Sequence, residues 1–172
     1  SFASTVDSLT ITPRALSVES IYGSVSFAGN IGSSFPLGNL VINSKGTISL
    51  DNVSTITTQG GEVTFNGSVD ITSSDLTVST NAASSLGANI YFMKDVNSFT
   101  TQALSVNSGA AEVFFYGALG SKASMGPLDF TAAGGISLFG NLMTRGFPID
   151  LTGPIVLEGN VLFDTTGGGG VP

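Results

Sequence analysis

β-Branched residues recur along this chain with a period far longer than that of a helix or a strand. Spacings of 23, 21, 21, 23, 23 and 19 residues separate the successive members of one set: Val25, Ile48, Val69, Ile90, Val113, Ile136 and Ile155. A second apolar residue follows two positions after each of them. A chain that returns to the same place every ~22 residues is typical of a solenoid, in which like residues stack from coil to coil.

Within one such period the pattern predicts three short strands separated by turns, for example at 40–42, 48–50 and 53–56. Apolar residues alternate within each strand, so that one side is buried and the other faces water. Each strand then pairs with its own equivalent one coil further on, which requires parallel pairing. We predict an all-β parallel β-solenoid of about 7.5 coils, and the general preference of parallel crossovers favours a right-handed β-helix.

The chain also contains a longer internal repeat. FAGNIG at 27–32 returns as FYGALG at 115–120, and ISL at 48–50 returns at 136–138, so both pairs are offset by 88 residues, or about four coils. The pattern is weakest in NAASSL, at 81–86, where we expect an irregular coil or a loop. The whole chain, 1–172, is expected to form one solenoid domain.

Polar and glycine residues mark the predicted turn after the third strand of each coil. Gly and Asn tolerate the positive φ that a sharp corner needs, and stacked Asn side chains can bond from coil to coil. We therefore predict a corner ladder along the rod, formed by Asn30, Asn52, Asp75, Asp95, Asn141 and Asn160.

These repeats resemble a known sequence type. GSVSFAGNI and GEVTFNGSV, with GANIYFMKDV and AEVFFYGAL as degenerate copies, look like the β-helical repeats of filamentous-haemagglutinin-like adhesins and autotransporter passengers. The resemblance covers nearly the whole chain. It implies a bacterial β-helix that is secreted and located on the cell surface or in an extracellular fibre, and it carries over no catalytic residue.

Outward-facing positions change character along the chain. The first coils place Ser, Ala, Asp and Thr there, whereas four later coils place large apolar side chains there. We call this set the contact patch: Tyr91, Met93, Phe114, Tyr116, Phe139 and Val156. A contiguous exposed patch of this kind marks an intermolecular contact. The alternative is that a loop, such as segment 81–86, folds over it.

Composition narrows the possible chemistry. A net charge of −7, with only five Lys and Arg residues and no basic run, argues against nucleic-acid binding. The absence of His and Cys removes the commonest general base and the commonest soft metal ligands. We expect no cofactor, no metal site and no membrane span, since no apolar run approaches the ~20 residues that a membrane helix needs.

One acidic pair and one threonine pattern remain to be weighed. Asp129 and Asp150 are predicted to be neighbours on adjacent strands, as in a glycosidase carboxylate pair or a weak cation site, but solvated surface acids are the usual interpretation. Ice binding needs a regular Thr-x-Thr ladder, and here such pairs occur at Thr10/Thr12 and Thr55/Thr57 and then lapse. We do not expect an enzyme.

The favoured function is structural: a segment or subunit of an extracellular bacterial fibre or surface adhesin, acting by stacking and lateral packing. Its expected partners are copies of itself, end to end and side by side, or the rest of a longer chain. The alternative is a recognition module that binds carbohydrate or a host protein through the aromatic side. A polysaccharide-degrading enzyme and an ice-binding protein are the minor alternatives.

Overall fold

Nearly every strand of the protein pairs in parallel with strands from the preceding and following coils. The computed structural model describes residues 1–9, 12–84 and 86–167. The strands of this described part are β1 Leu16–Ser20, β2 Val25–Phe27, β3 Leu40–Leu50, β4 Thr55–Thr57, β5 Val63–Ile71, β6 Leu76–Ser79, β7 Ile90–Phe92, β8 Val96–Ser98, β9 Leu104–Gly109, β10 Glu112–Phe115, β11 Leu128–Ala132, β12 Gly135–Leu138, β13 Leu142–Met143, β14 Ile149–Thr152, β15 Ile155–Leu157 and β16 Phe163–Asp164.

The strands line three faces of a β-solenoid. The first face runs in the order β1, β3, β5, β7, β10, β12 and β15. The second contains β2, the later halves of β3 and β5, then β8, and ends with the pair β13 and β16. The third runs β4, β6, β9, β11 and β14. The predicted fold class, an all-β parallel solenoid with three strands per coil, is confirmed.

The number of turns is about six, fewer than the seven and a half predicted. Seven strands follow one another on the first face, which makes six steps from coil to coil. The prediction was too high because several coils are longer than 22 residues, such as the 24 from Leu16 to Leu40 and the 27 from Val63 to Ile90. At ~4.8 Å per strand, six steps make a rod roughly 29 Å long.

The column of β-branched residues found in the sequence is not one column. Val25, Ile48 and Val69 stack on the second face, and Val69 is followed there by Val96. Ile90 instead stacks on Val63 of the first face, and the later members, Val113, Ile136 and Ile155, follow it there. The predicted column therefore moves from one face to another between Val69 and Ile90.

The long third-to-fourth coil explains this change of face. Its extra residues include the short 3₁₀ helix Ala82–Ser84, in which Ala83 has a left-handed φ of 52°. This helix lies within the predicted irregular segment 81–86, of which Ser85 is outside the described residues. The insertion nearly matches the six residues from Val63 to Val69, the step from the first face to the second. A 21-residue spacing therefore imitated a coil.

The 88-residue repeat is affected in the same way. Phe27 lies on the second face, where it pairs with Leu50, whereas Phe115 lies on the first face, between Phe92 and Leu138. The two copies therefore have similar sequences but stand at different positions around the solenoid.

A continuous apolar core fills the space between the three faces. Its largest fully buried side chains include five phenylalanines: Phe27, Phe65, Phe92, Phe115 and Phe130. Phe92 stacks on Phe65 at 5.0 Å and on Phe115 at 4.9 Å between ring centroids. This internal stack holds the coils at a constant spacing, as close packing of a protein interior requires.

Candidate functional site

The contact patch lies on the first face, where β7, β10, β12 and β15 run side by side. Tyr91 pairs with Phe114, which pairs with Ser137, which pairs with Val156. Met93, Tyr116 and Phe139 each follow two positions after a member of this row. The structure therefore brings the six predicted side chains together on four successive coils.

Four aromatic rings of the patch stack on one another. The centroid distances are 5.0 Å from Tyr91 to Phe114, 6.2 Å from Phe114 to Tyr116 and 4.5 Å from Tyr116 to Phe139. The rings are within 21° of parallel in each pair. Ring faces are thus turned mostly toward neighbouring rings, and edges are left for a partner. Each stacked pair also contributes about 0.5–1.5 kcal/mol to the cohesion of the coils.

The patch is open to solvent. Tyr116 is 40 % exposed and Val156 is 46 % exposed, with Met93 and Phe139 close to these values. Tyr91 and Phe114 are half-buried within the stack. The alternative that segment 81–86 covers the patch does not agree with these exposures.

The surroundings of the patch differ from the sequence prediction. Because the column changes face, the small polar residues Ser26, Ser49 and Asp70 do not precede the patch but lie on the second face. On the first face, Tyr91 is preceded by Thr64, and Thr64 by Val41. The patch is therefore bounded on its N-terminal side by short side chains.

The six residues of the predicted corner ladder do not form one continuous row. Asn30 and Asp75 precede third-face residues, whereas Asp95 and Asn141 precede second-face residues, so the ladder is divided between two corners. Asn52 adopts a left-handed φ of 53° in its turn. Asn160 is exposed.

Four members of the ladder bond from one coil to the next, but to the backbone. The side-chain oxygen of Asn30 accepts the N–H of Ser54 at 2.8 Å, and Asp75 accepts that of Ala103 at 2.8 Å. Asp95 and Asn141 accept backbone N–H groups 23 and 21 residues further on, each at 3.0 Å. These bonds satisfy backbone donors at corners, where the sheet ladder stops.

Two residues with the same role were missed in the sequence. Asn39 accepts the N–H of Glu62 at 3.1 Å, and Asn89 accepts that of Glu112 at 3.0 Å. Both asparagines stand directly before a first-face strand. The signal that could have identified them is Asn one position before an apolar strand residue, regardless of the 22-residue period.

The third face turns polar side chains outward on all five of its strands. Asp129 and Asp150 pair in register on β11 and β14, and both are exposed. Ser105 and Thr77 continue the same row on β9 and β6. Among the described residues, no three acidic side chains converge as a metal site would require. The row mixes Thr, Ser and Asp, so the regular Thr-x-Thr ladder of an ice-binding face is not formed; Thr10 lies outside the described residues.

A further site was not anticipated from the sequence. Lys122 and Arg145, which are 23 residues apart, line one cavity of about 540 Å³ beside the exposed ring of Phe99. The sequence showed no basic run, because the two cations meet only through the coil period. Nearby, side-chain and backbone donors of Thr166 hold the pKa of the Asp164 carboxyl below its usual value.

No protein-family model matches the chain, and searches of curated proteins and of solved structures find no significant match. In the described part of the chain, no helix combines the length and hydrophobicity that crossing a membrane demands.

Proposed function

We propose that this chain is a structural rod segment of an extracellular bacterial fibre or surface adhesin, extended by stacking of further coils on its end. The observation that carries the proposal is the exposure of core positions in the last coil. Ile155 and Leu157 are 45 % and 54 % exposed, although Ile136 and Leu138, their equivalents one coil earlier, are fully buried. A further coil, from a longer chain or a second copy, would bury them.

The opposite end of the rod supports the same proposal. Leu16 and Val18, on β1, are half-buried, whereas Leu40 and Ile42, which pair with them, are fully buried. Both ends therefore present apolar side chains and the edge of a parallel sheet, which is a template for another strand. Stacking of one end on the other is head-to-tail, so that it propagates instead of closing.

The contact patch gives the rod a second way to associate. Its stacked rings form an apolar ridge along four coils, which suits packing against the side of another rod. The alternative of carbohydrate recognition at this patch has less support, because a sugar ring needs an open aromatic face and these faces are turned toward one another. An extracellular location follows from the proposal and from the resemblance to surface β-helices.

Light scattering at increasing protein concentration tests the two contacts separately. Leu157→Asp places a charge in the end contact, and Phe114→Asp/Tyr116→Asp places two in the patch. We expect the wild-type protein to form bundled filaments, the patch variant to form single filaments, and the end variant to stay as short rods. Thr152→Asp, an exposed change in the same coil, is the control and should assemble like the wild type.

A wild-type protein that remains monomeric at high concentration would contradict assembly of separate copies. Equal loss of assembly in Thr152→Asp would show that added charge alone prevents association.

A further inference from the structure

One aromatic side chain stands away from the stack and the core. Phe99 is 78 % exposed and follows β8, at the corner between the second and third faces. Its loop is held in place by Gln102, whose side-chain oxygen accepts the N–H groups of Phe99 and Thr100, each at 2.9 Å. The side-chain nitrogen of Gln102 donates to the carbonyl of Thr72 in the preceding coil. Phe99 is therefore displayed by a fixed loop.

Cavities adjoin on either side of this ring. The larger, about 540 Å³, is lined by Lys122 and Arg145, and the smaller, about 160 Å³, by Asp70 and Asn97. Phe99 and Lys122 line both. Together they form a groove that crosses the corner, and we call it the Phe99 groove.

The smaller cavity contains an unsatisfied donor. Asn97 is only 3 % exposed, and its Nδ2 has no hydrogen-bond partner. Its Oδ1 accepts the backbone N–H of Lys122 at 2.9 Å, which fixes the orientation of the amide because that N–H can only donate. A buried donor without a partner costs free energy, and an oxygen atom of a ligand in this cavity would remove that cost.

The larger cavity concentrates positive charge in an acidic protein. The chain has five Lys and Arg residues against twelve Asp and Glu, yet two of the five line this one cavity. Neither Lys122 nor Arg145 forms an ion pair with another described residue. The planar guanidinium of Arg145 offers two parallel donors, which match the two oxygens of a carboxylate.

We propose that the Phe99 groove binds an acidic oligosaccharide that carries carboxylate groups. A sugar ring lies on the open face of Phe99, its carboxylate contacts Arg145 and Lys122, and an oxygen of a neighbouring sugar accepts from Asn97 Nδ2. The Asp70 carboxylate accepts from sugar hydroxyls. This inference does not depend on assembly of the rod, because every group named belongs to the inner coils of one chain.

Calorimetric titration of the dilute, monomeric protein with oligogalacturonate tests the proposal. A malto-oligosaccharide of equal length is the neutral probe, and its sulfated derivative is the second anionic probe. We expect binding of the galacturonate, little binding of the neutral chain and weaker binding of the sulfated one. Binding at a groove of this charge should also weaken with added salt.

Two variants of the groove and one matched control make the test specific. Lys122→Ala/Arg145→Ala should weaken binding by about tenfold or more, since each removes a charge-assisted hydrogen bond, and Phe99→Ala should weaken it by several-fold. Lys45→Ala/Lys94→Ala removes the same charge from a separate cavity of about 330 Å³ and should change affinity by less than about twofold. A thermal melt of each variant confirms folding.

Three results would overturn the proposal. These are equal binding of the neutral oligosaccharide, equal loss in the Lys45/Lys94 control, and absence of galacturonate binding to the folded wild-type protein. Tighter binding of the sulfated probe would overturn its selectivity for carboxylate.

Discussion

At the scale of single residues, the alternation of side chains in each strand decides what is buried. Phe115 faces the core and Phe114 faces outward, as the two-residue alternation predicts. This assignment holds although the face of the solenoid was predicted wrongly, because alternation within a strand does not depend on which strand lies next to it. The corner asparagines could be predicted only in part, because their bonds go to the backbone of the next coil.

Phe115→Ala should lower the free energy of unfolding by ~3–5 kcal/mol, because the ring packs between Phe92 and Phe130 and leaves a cavity when removed. Phe114→Ser is the adjacent control and should lower it by much less, because Phe114 is half-buried in an outer stack. Urea denaturation of both variants measures the difference. Equal losses would mean that the outward row is as important to the core as the inward one.

At the scale of elements, the solenoid could be predicted from the sequence, but the partner of β7 could not. The hydrophobic period reports how far the chain runs between equivalent strands, and it cannot distinguish one full coil from a shorter path to the next face. The coil that contains Ala82–Ser84 has extra residues that nearly equal one step between faces, so the two possibilities have almost the same spacing.

An engineered disulfide distinguishes the two registers. Thr64→Cys/Tyr91→Cys should oxidise to a disulfide, because these outward residues are directly paired on neighbouring strands, within the ~4.4–6.8 Å Cα separation that a disulfide spans. Asp70→Cys/Tyr91→Cys, which the sequence register would pair, should keep two free thiols. Thiol titration after mild oxidation is unambiguous because the natural chain contains no Cys. Oxidation of the second pair alone would restore the register read from the sequence.

At the scale of the whole molecule, the rod combines a regular interior with unfinished ends and an uneven surface. The third face is polar, the first bears the contact patch, and the Phe99 groove lies at a corner between the second and third. The ends and the patch follow from the repeat and its alternation, so the sequence could indicate them. The groove could not be predicted, because it depends on loop conformations and on Lys122 and Arg145 meeting one coil apart.

The central claim is that coils stack from one copy to the next along a common axis. X-ray fibre diffraction of the concentrated protein, supported by electron microscopy, tests it most directly. We predict thin filaments with a meridional reflection at ~4.8 Å, because the strands lie across the filament axis at that spacing. Separate rods of roughly 29 Å at every concentration, or filaments without the meridional reflection, would contradict the claim.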